Sequence, residues 1–158
     1  GRMVDQIFRL VRMLALELCQ SEFRPLRFEY PIGEQEGTRP LRLGTASGDE
    51  VRVEGKVDRV DCYHGSDRDY IRVIDYKTGG RADETPEQLD EKHRLQASCY
   101  AYALMRAGYE SVDAHFLRIE HAAADNPRDP QIVPYHFEKT DLPALEALII
   151  AKQHEAVV

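Results

Sequence analysis

Apolar positions recur with two different periods along the chain, and the switches between them mark out the elements. Met3, Ile7, Leu10, Val11, Leu14 and Leu18 follow helical spacing with Arg and Glu on the other face, which predicts an amphipathic helix over 3–20. No N-cap signal precedes it, and so abrupt an opening leads us to expect a piece of a longer protein. Residues 26–32 alternate apolar and polar as a half-buried strand, with Pro31 favouring an edge or a strand end. Glu29 falls on its polar face, where a solvated carboxylate is the simpler reading than a metal ligand. Residues 33–49, rich in Gly, Glu and Thr, predict a loop or β-hairpin with a short strand at 41–43.

Two runs rich in β-branched residues follow. Residues 51–62 and 70–77 read as strands, and the polar stretch 63–69, with Gly65, reads as the hairpin loop between them. Thr85 then caps a helix with Pro86 at its first position and Gln88 completing a capping box. This helix runs to about Ala107 and is stopped by Gly108. Leu89, Gln96, Cys99, Tyr100, Ala103 and Ala107 share one of its faces, so Gln96 and Tyr100 point the same way. Strands at 111–119 and 131–137, connected through Asn126–Pro130, precede a last helix that Asp141 caps ahead of Leu142 and Pro143, continuing through Leu145, Leu148 and Ile149. The order predicts an α/β fold: a central mixed sheet of four to five strands, with the first helix and the 86–107 helix packed on it.

The hairpin carries the chemistry. Paired antiparallel across 63–69, its residues face each other when their numbers sum to about 133, which sets Asp58 opposite Asp75 within a residue or so. Two carboxylates so placed repel, which implies a bound cation or a raised pKa. Asp75 and Lys77 share the face of Ile71 and Val73 at the strand's end. Taken alone, Asp-x-Lys at a strand terminus also reads as a solvated ion pair. Gln96, on an otherwise apolar helix face, needs a partner, because an unpaired buried amide costs about 1–3 kcal/mol.

The chain has 158 residues, 42% of them hydrophobic, enough for one domain with its own core. It contains no apolar run of membrane-spanning length and no signal-peptide pattern, so a cytoplasmic location away from membranes is expected. Cys19, Cys62 and Cys99 lack C-x-x-C spacing, which argues against a zinc ribbon or a disulfide framework. His115, His121 and His136 show no ligand spacing with the carboxylates. The net charge of −7 is awkward for a nucleic-acid enzyme, since Lys and Arg supply most phosphate affinity. The acidic excess lies wholly after residue 60.

Three successive stretches carry a family likeness. Gly55-Lys56-Val57-Asp58-Arg59-Val60-Asp61, Val73-Ile74-Asp75-Tyr76-Lys77-Thr78-Gly79 and the helical run from Leu95 to Leu104, with Gln96 and Tyr100, resemble the motifs of the RecB-like branch of the PD-(D/E)xK nucleases. The closest likeness is to the C-terminal nuclease domain of AddB-type subunits of bacterial helicase-nucleases. That resemblance implies a restriction-endonuclease-like fold and a single nuclease domain over 1–158. It also implies a Mg²⁺- or Mn²⁺-dependent DNA exonuclease that processes double-strand breaks for recombination together with a helicase-nuclease partner subunit. In its terms Asp58, Asp75 and the main-chain carbonyl of Tyr76 are metal ligands, Lys77 acts on the attacking water or the transition state, and Gln96 and Tyr100 position the substrate or the lysine.

Two family features are missing. RecB-like families usually place a metal-binding His on a helix before the first aspartate, and no His precedes His64 here. That helix is expected upstream of residue 1, which would leave the isolated chain weak or inactive. The four flanking cysteines that often hold an iron-sulphur cluster in AddB-type proteins are also unmatched, so any such cluster of the parent is not encoded here. The alternative function is a catalytically inactive nuclease-like module that binds DNA or a helicase partner.

Overall fold

The structure is a computed structural model that describes residues 1–32, 41–44, 46–78, 83–119 and 131–156. In chain order the elements are α1 (Arg2–Gln20), β1 (Arg24–Ile32), β2 (Leu41–Gly44), β3 (Glu50–Val53), β4 (Gly55–His64), β5 (Asp69–Thr78), α2 (Pro86–Arg106), β6 (Ser111–Ile119), β7 (Gln131–Glu138) and α3 (Leu142–Ala156). Five strands form one mixed sheet in the order β1-β4-β5-β6-β7, and β2 pairs with β3 in a separate two-stranded sheet. The α/β expectation holds. Among the described residues the one parallel pairing is between β5 and β6, the two strands that α2 connects.

The expected strand 51–62 is two strands, interrupted at Glu54. Its first part pairs with β2, from Leu41↔Val53 to Gly44↔Glu50, while its second part pairs with β1 and β5, so the two halves belong to different sheets. Leu43, Val51 and Val53 of the small hairpin are buried with the main core, which gives it its place. Pro31 lies in β1, an edge strand, as proline in a sheet requires. The 126–130 connection and His121 fall outside the described residues.

Alternation along the strands divides the sheet into two unlike faces. One face presents Val60 and Cys62 of β4, Ile71 and Val73 of β5, and Val112, Ala114 and Phe116 of β6. Packed with them are Ala97, Tyr100, Ala101, Leu104 and Met105 of α2, and Leu145 and Ile149 of α3. Thr85 caps α2 as its sequence predicts: its hydroxyl accepts from the Gln88 N–H at 3.2 Å, and the Gln88 side chain accepts from the Thr85 N–H at 3.0 Å. Gly108, at φ +121°, takes the chain out of the helix in a conformation costly for residues with a Cβ. The buried side of α2 is broader than the stripe expected. His93, Ala97, Ala101 and Leu104 are buried, whereas Cys99 and Ala103 are half-buried and Ala107 is exposed, because α3 as well as the sheet packs on the helix. Asp141 does not cap α3; its carboxylate accepts from the Glu138 N–H at 2.8 Å and closes a 3-10 turn just before that helix.

The other face buries Ile74 and Leu117 together with a group of charged side chains. Arg59 and Asp61, two apart on β4 and both almost fully buried, form a bidentate pair with both contacts at 2.8 Å. Arg59 also donates to the Tyr76 hydroxyl at 3.1 Å, and Glu17 of α1 reaches Arg59 at 3.9 Å and Arg72 at 3.7 Å. The Arg72 guanidinium lies 4.0 Å over the Phe23 ring. The first helix flanks the sheet as expected, but only part of its apolar stripe is covered. Leu10, Met13, Leu14 and Leu18 are half-buried, while Ile7 and Val11 of the expected inward stripe are exposed at 55% and 57%. That face of the sheet also buries Ile74 and Leu117, each 2% exposed, beside its ion pairs, and Glu17 lies in the same half-buried row of α1 as Leu10, Leu14 and Leu18.

A buried ion pair is far more damaging to break than to replace. Asp61→Ala is expected to lower stability by about 3–5 kcal/mol, since it leaves Arg59 charged, buried and short of its best acceptor. The double variant Arg59→Met/Asp61→Leu should recover most of that loss. Urea unfolding of the two proteins checks the pair; a single variant within about 0.5 kcal/mol of wild type would mean that water already screens this face.

Candidate active site

β4 and β5 keep the register expected of them. Their ladder runs from His64↔Asp69 to Arg59↔Ile74, and one step further Asp58 and Asp75 come together where the ladder stops. There Asp58 replaces a main-chain acceptor, its Oδ2 taking a hydrogen bond from the Tyr76 N–H at 2.8 Å. The N–H and C=O of one strand residue point to the same side, so the Tyr76 carbonyl also faces the β4 edge. Asp75 is buried, 7% exposed, whereas Asp58, Tyr76 and Lys77 are half-buried.

Four side chains close a ring that includes Asp75. The Lys77 ammonium donates to Asp75 Oδ2 at 3.0 Å and to Gln96 Oε1 at 2.7 Å. Gln96 Nε2 in turn donates to the Tyr100 hydroxyl at 2.6 Å, and that hydroxyl donates to Asp75 Oδ2 at 3.1 Å, with the Lys56 carbonyl at 3.3 Å as a second acceptor. One turn of α2 separates Gln96 from Tyr100, and this spacing lets the helix present both to the strand end. The ring also fixes the amide: Lys77 can only donate, so Gln96 must turn its oxygen towards it.

Electrostatics inside the ring are set by burial. Loss of solvent holds the Asp75 carboxyl above its ordinary range, and hydrogen bonding to Asp58 adds to this against the pull of Lys77. Burial, with Asp75 alongside, drives the Tyr100 hydroxyl well up, so it stays protonated and serves as a donor. Phe116, opposite Asp75 in the parallel register, forms the floor, with the Lys77 ammonium 5.6 Å from its ring centre.

The structure thus brings Asp58, Asp75, Lys77, Gln96 and Tyr100 together. Glu29 stays outside: it is exposed, at a left-handed φ of +49°, and pairs with Lys56 at 3.2 Å. His93 went unnoticed in the sequence. It is buried on α2, stacked on Phe116 with centroids 4.7 Å apart, and burial, followed by Lys77 and Arg118, lowers its pKa and keeps it neutral. Its spacing of three and seven residues before Gln96 and Tyr100 was the available signal. His115 and His136 lie away from the ring, on the charged face. His136 bridges Asp113 and Glu138, and burial lowers His115 to about 4.

The oxygen atoms at the strand end suit a hard divalent cation. Two carboxylates sharing a site, one of them held towards its protonated form, are crowded for want of positive charge, and oxygen ligands favour Mg²⁺ or Mn²⁺ over softer ions. No helix among the described residues is long and apolar enough to cross a membrane.

Comparison with known proteins agrees with this picture. The chain is 25% identical over 149 residues to an ATP-dependent helicase/deoxyribonuclease subunit of Clostridioides difficile (strain 630), a match covering 94% of this chain and 12% of that protein. It is 43% identical over 70 residues to the subunit of the same description from Symbiobacterium thermophilum, covering 43% of this chain and 6% of that one. It therefore spans only a small part of the curated relatives it matches. The crystal structure of SSO0001 is a weak likeness, at 16% identity and a TM-score of 0.37 over 93% of this chain and 58% of that one. The model of the PD-(D/E)XK nuclease superfamily matches residues 2–155, and the chain belongs to that superfamily.

Proposed function

We propose that this chain is the nuclease domain of a longer helicase-nuclease protein, and that it hydrolyses DNA from ends, with Mg²⁺ or Mn²⁺, during double-strand-break processing. The closed ring of Asp75, Lys77, Gln96 and Tyr100 beside Asp58 carries the reading. A structural ion pair does not need an amide and a phenol to hold it in one orientation. Asp58, Asp75 and the Tyr76 carbonyl would hold the cation, which supplies Lewis-acid activation of water and of the phosphoryl group. Lys77 spends two of its three N–H donors on Asp75 and Gln96, which leaves the third for the phosphate oxygens or the attacking water. Gln96 and Tyr100 hold that ammonium where charge develops, with Tyr100 also bracing Asp75. Membership of an AddB-type assembly, with its partner and a bacterial cytoplasmic setting, rests on the likeness to the helicase/deoxyribonuclease subunits.

A second reading is a module that binds DNA or a helicase partner without cutting. The net charge of −7 favours it, since 28 acidic against 21 basic side chains repel phosphates. Incubation of the protein in excess over linear and circular DNA with Mn²⁺ separates the two. Loss of linear DNA alone, abolished by Asp58→Ala and Asp75→Ala, supports the exonuclease. Retention of DNA with no cleavage by this chain, or by the longer protein that contains it, supports the binding module.

Two further outcomes follow from the ring. Lys77→Ala should lower the single-turnover cleavage rate by about 10²–10³-fold while Mn²⁺ affinity is held or rises, as expected for a group acting on the transition state. A rate unchanged at saturating metal, with weakened DNA binding, would make Lys77 a binding residue. The second outcome concerns pH. The folded Asp75 carboxyl titrates above its ordinary 3.8, so the folded state keeps this proton to higher pH than the unfolded chain. Below 3.8 both states are protonated and nothing is lost; as pH climbs through the raised value, metal-free stability falls. Asp75→Asn should therefore match or exceed wild type in thermal melts with chelator at pH 7, the difference closing as pH falls towards about 4. Added Mn²⁺ should raise the melting temperature of wild type only.

A further inference from the structure

The far end of the β4–β5 hairpin holds a second convergence of side chains. Cys62 and His64, two apart on β4, share the sheet face of Asp58, and Asp69 is the cross-strand partner of His64. His64 Nδ1 lies 2.7 Å from Asp69 Oδ1 and 4.0 Å from Cys62 Sγ, and donor atoms of the three residues all fall within 4.8 Å of one another. Cys62 is buried, while the side chains of His64 and Asp69 are 78% and 55% exposed.

Thiol and carboxylate approach the same ring nitrogen. A nucleophilic relay needs them on opposite nitrogens, so that the imidazole takes a proton at one and is oriented through the other. Here Nδ1 would have to serve both, which rules out that chemistry. Three different donors around one point are instead the arrangement of a cation site. We propose that Cys62, His64 and Asp69 bind a thiophilic divalent cation, Zn²⁺ foremost, with water completing a tetrahedron.

Metal–ligand bonds of about 2.0–2.3 Å set tetrahedral donor atoms about 3.3–3.7 Å apart. The sulphur–nitrogen separation must close slightly and the nitrogen–oxygen separation must open, and the two exposed side chains have room to do so. Binding displaces the thiol proton to solvent. Four residues along the strand place Cys62 about 13 Å from Asp58, so the two sites are separate. Their donor sets also differ: thiolate and imidazole select against Mg²⁺, while carboxylate and carbonyl oxygens select for it. A cation here would tie β4 to β5 beside the turn closed by the Gly65 N–H and the Arg68 carbonyl at 2.9 Å.

Titration with Co²⁺ as a spectroscopic stand-in tests the site. One equivalent should give a thiolate-to-cobalt charge-transfer band and strong tetrahedral visible bands, both removed by Zn²⁺ and both retained in Asp75→Asn. Cys62→Ser should abolish the charge-transfer band. Because Cys62 lines the core, the exposed His64→Ala and Asp69→Asn provide a second measure, and each should weaken Co²⁺ binding by at least about tenfold. A charge-transfer band that survives Cys62→Ser but is lost in Cys19→Ser or Cys99→Ser overturns the proposal. So does cobalt affinity unchanged in both His64→Ala and Asp69→Asn, or no charge-transfer band in the wild-type protein.

Discussion

Repulsion between Asp58 and Asp75 is the constraint around which the rest of the structure is arranged. A β-ladder by itself would not keep two carboxylates at adjoining ends of paired strands, one of them buried. They stay because the ladder beyond them is anchored on both faces and because each carboxylate has been given donors. Asp58 takes a main-chain N–H, and Asp75 takes an ammonium and a phenol. The helix that carries Tyr100 is also the crossover between β5 and β6. One element therefore closes the parallel pair, covers the apolar face and completes the polar ring.

The two faces of the sheet perform different work. Towards α2 and α3 it buries aliphatic and aromatic side chains and places the carboxylates at the rim of that core. Towards α1 it buries an arginine–aspartate pair and ends in Tyr76, whose hydroxyl receives Arg59 and whose main chain donates to Asp58. The charged face therefore braces the backbone of the site from behind, through a residue that lies between the two catalytic candidates of β5.

Much of this could be read from the sequence, because the strongest signals were local. The capping box at Thr85 and Gln88, the glycine stop at Gly108 and the hairpin register are decided within a few residues, and all three hold. So does the pairing of Gln96 with Tyr100, since helical geometry alone puts them side by side. What escaped depended on distant partners. The break at Glu54 depends on β2 competing for the first half of the strand, and the breadth of the buried side of α2 depends on α3. That Ile7 and Val11 stay exposed while Glu17 is half-buried depends on the partners that Arg59 and Arg72 offer on β4 and β5. His93 was missed because its spacing before Gln96 and Tyr100 gains meaning only once Phe116 is known to lie beneath it.

The ring through Asp75 runs from a source to a sink, Lys77 giving to Asp75 directly and, the other way round, through Gln96 and Tyr100. Lysine can only give hydrogen bonds and an ionised aspartate can only receive them, so the glutamine and the tyrosine between them must each pass one along in the same direction. Such a circuit reads chemical polarity as well as shape. A glutamate at position 96 would match the glutamine in size and would attract Lys77, yet it could not donate onward to Tyr100. The phenol would turn to the new carboxylate, Asp75 would lose its neutral donor, and a third negative charge would enter a site already crowded with two. At this position the uncharged amide is the only side chain of its length that can both receive from the lysine and supply the phenol.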